Sequence, residues 1–129
     1  MNYEISVMNE SKNENRKLNP KKTFAFAIRT VNASKFLKNE KHEFILSQQM
    51  LRSGTSIGAN IEEGIGAQTK ADFISKFSIA YKEARETSYW LRLLCATNYL
   101  SKEMSDSLIY DAEEICRIIG KIQISSKAK

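Results

Sequence analysis

TKADFISKFSIAYKEARETSYWLRLLCATNYL, running from Thr69 to Leu100, is the stretch on which the fold turns. Within it Phe73, Phe77, Ala80, Ala84, Thr87, Leu91, Leu94 and Asn98 recur at spacings of four and three without a break. Residues so spaced share one face of an α-helix, so the run predicts a long helix with one buried seam, packed at the shallow crossing angle of a bundle. Thr69 can offer its hydroxyl to the open N–H groups of the first turn, where Asp72 adds a favourable negative charge.

Downstream the periodicity resumes after Ser101, which with Glu103 close behind reads as a helix start. Met104, Leu108, Ala112, Ile115, Ile119 and Ile122 form its seam, and residues 125–129 read as a disordered tail. Upstream lies QMLRSGTSIGANIEEG, from Gln49 to Gly64. A helix beginning near Glu43 or Phe44 would turn Leu46, Met50, Ile57 and Ile61 inward. Gly54 and Gly58 each cost such a helix about 1 kcal/mol against Ala, so their presence points to a close helix approach or a bend. Gly64 or Gly66 is expected to end it in the left-handed conformation.

A first helix opens at Asn19-Pro20, a cap followed by a residue suited to the first helical position. Phe24, Ala27, Ile28, Val31 and Lys35 follow a helical stripe there, with Lys22 and Arg29 on the opposite side, and the pattern fades near Leu37 to Asn39. Residues 1–18, rich in Asn, Ser, Lys and Glu, read as a flexible N-terminal arm. Four helices with short connections favour an all-α, antiparallel up-down-up-down four-helix bundle over residues 19–124.

At 129 residues the chain is one domain's length and long enough to bury a core. Every apolar run is broken by Lys, Arg, Glu or Asn, so no membrane partner is expected. The start, Met1 to Met8, lacks the form of a secretory signal, and a cytoplasmic location follows.

The sequence offers little for catalysis. Cys95 and Cys116 have no second Cys or His at ligand spacing, and His42 is the only histidine, with no Glu three residues before it. Neither a metal nor a cofactor is expected. Glu62-Glu63 and Glu113-Glu114 are neighbours that point about 100° apart on a helix. The glycines lack the Lys-Ser/Thr ending of a phosphate loop. The chain therefore reads as no enzyme.

Charge is more suggestive. Net charge is +5, and the excess of cations lies before Ile45 and between Thr69 and Leu100. Lys82, Arg85, Tyr89 and Arg92 share a side of the third helix away from Phe77 and Leu91, mixing cations with an aromatic ring as nucleic-acid surfaces do. With Lys22 and Arg29 they form the candidate contact set for RNA or DNA; the other reading is an ordinary wet face. Ile79, Glu83, Glu86, Trp90 and Leu93 lie on a different flank. There Trp90 either closes a wider core or, with Ile79 and Leu93, anchors another subunit.

Gln49-x-x-Arg52-x-x-x-Ser56-Ile57-x-x-Asn60-Ile61-x-Glu63-Gly64, followed by Asp72-Phe73-Ile74, Ile79-Ala80 and Glu86, resembles the four helix bundle protein family. These are small bacterial proteins, many encoded by intervening sequences in large-subunit ribosomal RNA genes. The family is similar to the accessory variability protein of diversity-generating retroelements. The resemblance spans about Asn19 to Ile124, with Gly58 where the pattern often has Pro and Glu62 where it usually has Ala.

It implies an antiparallel four-helix protomer, a ring-like homopentamer and no enzymatic activity, and in the retroelement branch a basic surface that engages nucleic acid and a reverse transcriptase. We assign the shared motif to folding and assembly: Ser56 and Asn60 hydrogen-bonding across a helix contact, Ile57 and Ile61 in the core, Gly64 at the helix end. Two functions follow as expectations. One is a homo-oligomeric scaffold holding RNA or DNA through its basic faces, and the other is an adaptor that presents the Trp90 flank to a protein such as a reverse transcriptase.

Overall fold

The computed structural model describes Leu18 and residues 20–128. Four helices follow one another: α1 (Pro20–Glu40), α2 (Leu46–Ile65), α3 (Lys70–Ala96) and α4 (Lys102–Ala128). Contacts between them run in opposite senses along each pair. Thr23 meets Gly58 and Thr30 meets Gly54; Glu63 pairs with Lys76 while Arg52 pairs with Glu83; Lys22 pairs with Glu114 while Arg29 pairs with Asp111. The bundle is therefore antiparallel, and no strand occurs among the described residues. Residues 1–17 of the expected arm, Asn19 and Lys129 lie outside the described residues, whereas Leu18, the last residue of that arm, is buried against the core.

Phe73, Phe77, Ala80, Ala84, Thr87, Leu91 and Leu94 are all buried, with the rings of Phe73 and Phe77 stacked 4.2 Å apart. Asn98, placed on that seam by its spacing, instead takes a positive φ of 67° and stops the helix. The N–H groups of Tyr99 and Leu100 then reach back to Leu94 O. Asn tolerates this left-handed turn better than most residues. Thr69 Oγ1 accepts from Asp72 N at 3.1 Å, and Ser101 Oγ accepts from Met104 N at 3.1 Å. α4 runs past Ile124 to Ala128, and buried Ser126 donates to Ile122 O. The expected tail is helix there.

The α1–α2 connection uses His42, whose φ of 53° ends α1 while Glu43 N bonds Leu37 O. Glu43 is itself buried. Its carboxylate accepts from the N–H groups of Leu46 at 3.0 Å and Ser47 at 2.7 Å, closing the open first turn of α2.

Two further expectations fail, and the glycines of α2 bear on both. No glycine has a positive φ, so neither Gly64 nor Gly66 ends α2 by a left-handed turn. Gly64 is instead buried under α3, where an added Cβ would stand 2.7 Å from the Phe77 ring. The second concerns α1. Phe24 and Ile28 are 66% and 49% exposed, and the helix buries Thr23, Phe26, Thr30, Ala33, Ser34 and Leu37. A Cβ on Gly54 would come within 2.5 Å of Thr30 Cγ2, so α1 settles onto α2 through short threonines over bare backbone. Their hydroxyls donate within α1, Thr30 to Phe26 O and Thr23 to Pro20 O, which removes the usual penalty for burying them. Polar labels conceal the inward face.

Candidate nucleic-acid interface

Ion pairing separates three of the bundle's seams. On the α1/α4 seam Lys22 Nζ lies 2.8 Å from Glu114, and Arg29 donates to both Asp111 and Ser107 Oγ. On the α2/α3 seam Arg52 bridges Glu83 and Glu86 while Lys76 pairs with Glu63 at 3.0 Å. Each of these cations faces a carboxylate from the neighbouring helix.

The α3/α4 seam is different. An open groove of about 450 Å³ is lined by Tyr81, Arg85, Ser88 and Arg92 from α3 and by Glu113, Cys116 and Arg117 from α4. Arg85 and Arg92 are seven residues apart, on one flank of α3 and about 10 Å from each other along its axis. Glu113 is the one acidic residue in the lining, and among the described residues Arg85, Arg92 and Arg117 form no ion pair. Three guanidiniums bring many N–H donors to one trough. Planar donors of this kind match phosphate oxygens.

Cys116 on the groove wall donates to Tyr81 O at 3.9 Å. Burial pushes its thiol up from the ordinary value, against the opposing pull of the Arg85 cation and that hydrogen bond. Burial thus disfavours the thiolate, the nucleophilic form of the side chain. Among the described residues no group of three or more His, Cys, Asp or Glu side chains is placed to hold a metal ion.

The sequence-derived contact set thus divides. Arg85 and Arg92 line the groove, Lys82 lies exposed on the outward side of α3, and Lys22 and Arg29 are engaged across the α1/α4 seam. Arg117 was not legible in the sequence, because α4 carries balanced charge and only its packing against α3 sets this residue opposite Arg85. On the other flank, Trp90 is half-buried and its Nε1–H donates to Glu86 at 2.9 Å, joining the Arg52 network. Leu93 is half-buried beside it and Ile79 is 39% exposed.

The α2 motif is a packing device. Ile57 and Ile61 are fully buried and Glu63 pairs with Lys76. Ser56 and Asn60 do not bond across a contact: Ser56 Oγ donates to Arg52 O and Asn60 Nδ2 to Ser56 O, both inside α2. The buried hydroxyl bond between α2 and α3 belongs to Thr87, which donates to Ser53 Oγ at 2.9 Å. Ser53 is the buried hydroxyl facing α3, while Ser56 lies on a half-exposed side.

Fold and groove together define a small helical bundle with a basic trough along one seam. The chain belongs to the 23S rRNA-intervening sequence protein family, whose sequence model matches residues 19–121. It is similar to a solved protein of unknown function from the S23 ribosomal protein family of Bacteroides thetaiotaomicron. The two share 52% identity with a TM-score of 0.80 over 81% of this chain and 96% of that one. A comparison with curated proteins returned no match. Among the described residues, no helix is long and apolar enough to cross a membrane.

Proposed function

We propose that the protein is a non-enzymatic, homo-oligomeric helical scaffold of the cytoplasm that holds RNA or DNA by its phosphates in the α3/α4 groove. One observation carries this reading: Arg85, Arg92 and Arg117 stand around a trough without carboxylate partners, while Lys22 and Arg29 on the α1/α4 seam and Arg52 and Lys76 on the α2/α3 seam are paired. Self-association is supported by the outer side of α1, where Phe24 and Ile28 stand exposed and Phe24 lines a groove with Ala27, Thr55 and Ala59. A pentameric ring, the assembly implied by the family resemblance, would present five grooves, and several weak phosphate sites held together bind far more tightly than one.

Filter binding of RNA and DNA across a salt series tests this reading. Phosphate neutralisation requires affinity at low salt that falls linearly on logarithmic axes. Affinity that is absent at low salt, or indifferent to salt, removes the proposal. The adaptor reading, in which Ile79, Trp90 and Leu93 meet a protein such as a reverse transcriptase, draws support from the exposure of Ile79. Arg85→Glu with Arg92→Glu separates the two, since it abolishes phosphate binding and leaves that flank intact.

A further inference from the structure

We infer that the groove selects single-stranded over duplex nucleic acid, with Tyr89 as a stacking platform for a base whose flanking phosphates are held by Arg85, Arg92 and Arg117. The inference rests on the phosphate-binding reading of the same groove and adds to it the conformation of the strand.

Tyr89 is 50% exposed, and its ring is held in place from two sides. The Tyr89 and Trp90 rings are in T-shaped contact, with centroids 5.1 Å apart and planes at 73°. Trp90 is in turn fixed by its hydrogen bond to Glu86, which pairs with Arg52 of α2. From the groove side, Arg92 Cζ lies 5.9 Å from the Tyr89 ring centroid. A chain of contacts from α2 through Glu86 and Trp90 therefore holds an exposed aromatic ring beside the guanidiniums. A ring fixed before binding loses little conformational freedom on contact with a base.

Size and shape favour one strand. Packed helices have axes about 8–10 Å apart, so a trough along their seam admits one backbone, whereas a duplex could touch only its rim. The groove volume of about 450 Å³ lies in the range of sites for a single small-molecule ligand, enough for a nucleotide unit. In a duplex the base faces are occupied by their neighbours; in a single strand every base offers one. Stacking on an aromatic side chain tolerates any sequence for that reason.

Fluorescence anisotropy on the full chain tests the inference with four labelled probes of equal length: single-stranded RNA, single-stranded DNA, duplex DNA, and a DNA strand of abasic sites. Intact single strands are expected to bind at least about fivefold more tightly than the duplex or the abasic strand, given the worth of one stacked base. Tyr89→Leu should weaken single-strand binding by about five- to a hundredfold without changing the salt dependence, and Tyr89→Phe should retain it. Equal binding of the abasic or duplex probe, or an unaltered Tyr89→Leu protein, overturns the single-strand inference while leaving phosphate binding in place. No binding of any probe at low salt overturns both. Circular dichroism confirms that each variant keeps its helices, as expected for a half-exposed side chain.

Discussion

The α1/α4 and α3/α4 seams are built from the same kinds of residue and arranged to opposite ends. Along α1/α4, Lys22 and Arg29 meet Glu114 and Asp111, so the charge is neutralised within the molecule. Along α3/α4, Arg85, Arg92 and Arg117 gather around a trough whose lining holds the single acid Glu113. A cation's partner, more than its presence, determines whether it can serve an external phosphate. That lesson is quantitative, because half-exposed ion pairs stabilise a fold by only about 0–1 kcal/mol, while each released phosphate counterion contributes to the salt slope of binding.

The contrast can be broken most directly by charge reversal. Arg85→Glu combined with Arg117→Glu should reduce nucleic-acid affinity by about a hundredfold or more at low salt, measured by filter binding, because two phosphate contacts become repulsions. Next in size is the seat of α1. Gly54→Ala should cost about 1–3 kcal/mol in urea unfolding, since the new methyl meets Thr30, and Thr30→Ala in the same chain should recover part of that loss. Additive losses would instead show that α1 is not seated by this contact.

Arg29→Ala sharpens the comparison from the other side. It should lower stability by at most about 1 kcal/mol and leave both affinity and salt slope unchanged. A shallower slope would place Arg29 in the interface and dissolve the distinction between the seams. Cys116 reports on the groove itself. In a Cys95→Ser background the pH midpoint of its alkylation should lie above that of a free cysteine, because burial disfavours the thiolate. Arg85→Ala should move it higher still, since the nearby cation favours the charged form. A stabilising change is expected at Ser34, whose buried Oγ has no partner: Ser34→Ala should raise stability by up to about 1 kcal/mol, read from the urea midpoint.

These effects track what was legible beforehand. The α3 seam from Phe73 to Leu94 could be read directly, because bulky apolar residues at helical spacing have few other ways to be buried. The rotation of α1 could not. Its inward side carries Thr23 and Thr30, whose size suits the bare backbone of Gly58 and Gly54, while the more hydrophobic Phe24 and Ile28 were left outside. Hydrophobicity ranked the faces of α1 by composition, whereas close packing ranked them by shape. Arg85 and Arg92 were visible as one stripe of α3, but Arg117 acquires its place only from the neighbouring helix.

Sequence alone determined the four-helix architecture, the approximate places of the breaks between helices and the membership of the family, since periodicity, caps and motif are properties of neighbours along the chain. Tertiary structure decided which face of α1 is buried, which glycines admit a neighbouring helix and which cations remain unpaired. Those outcomes depend on partners distant in sequence, and a charge or a small side chain takes its meaning from what stands a few ångströms away.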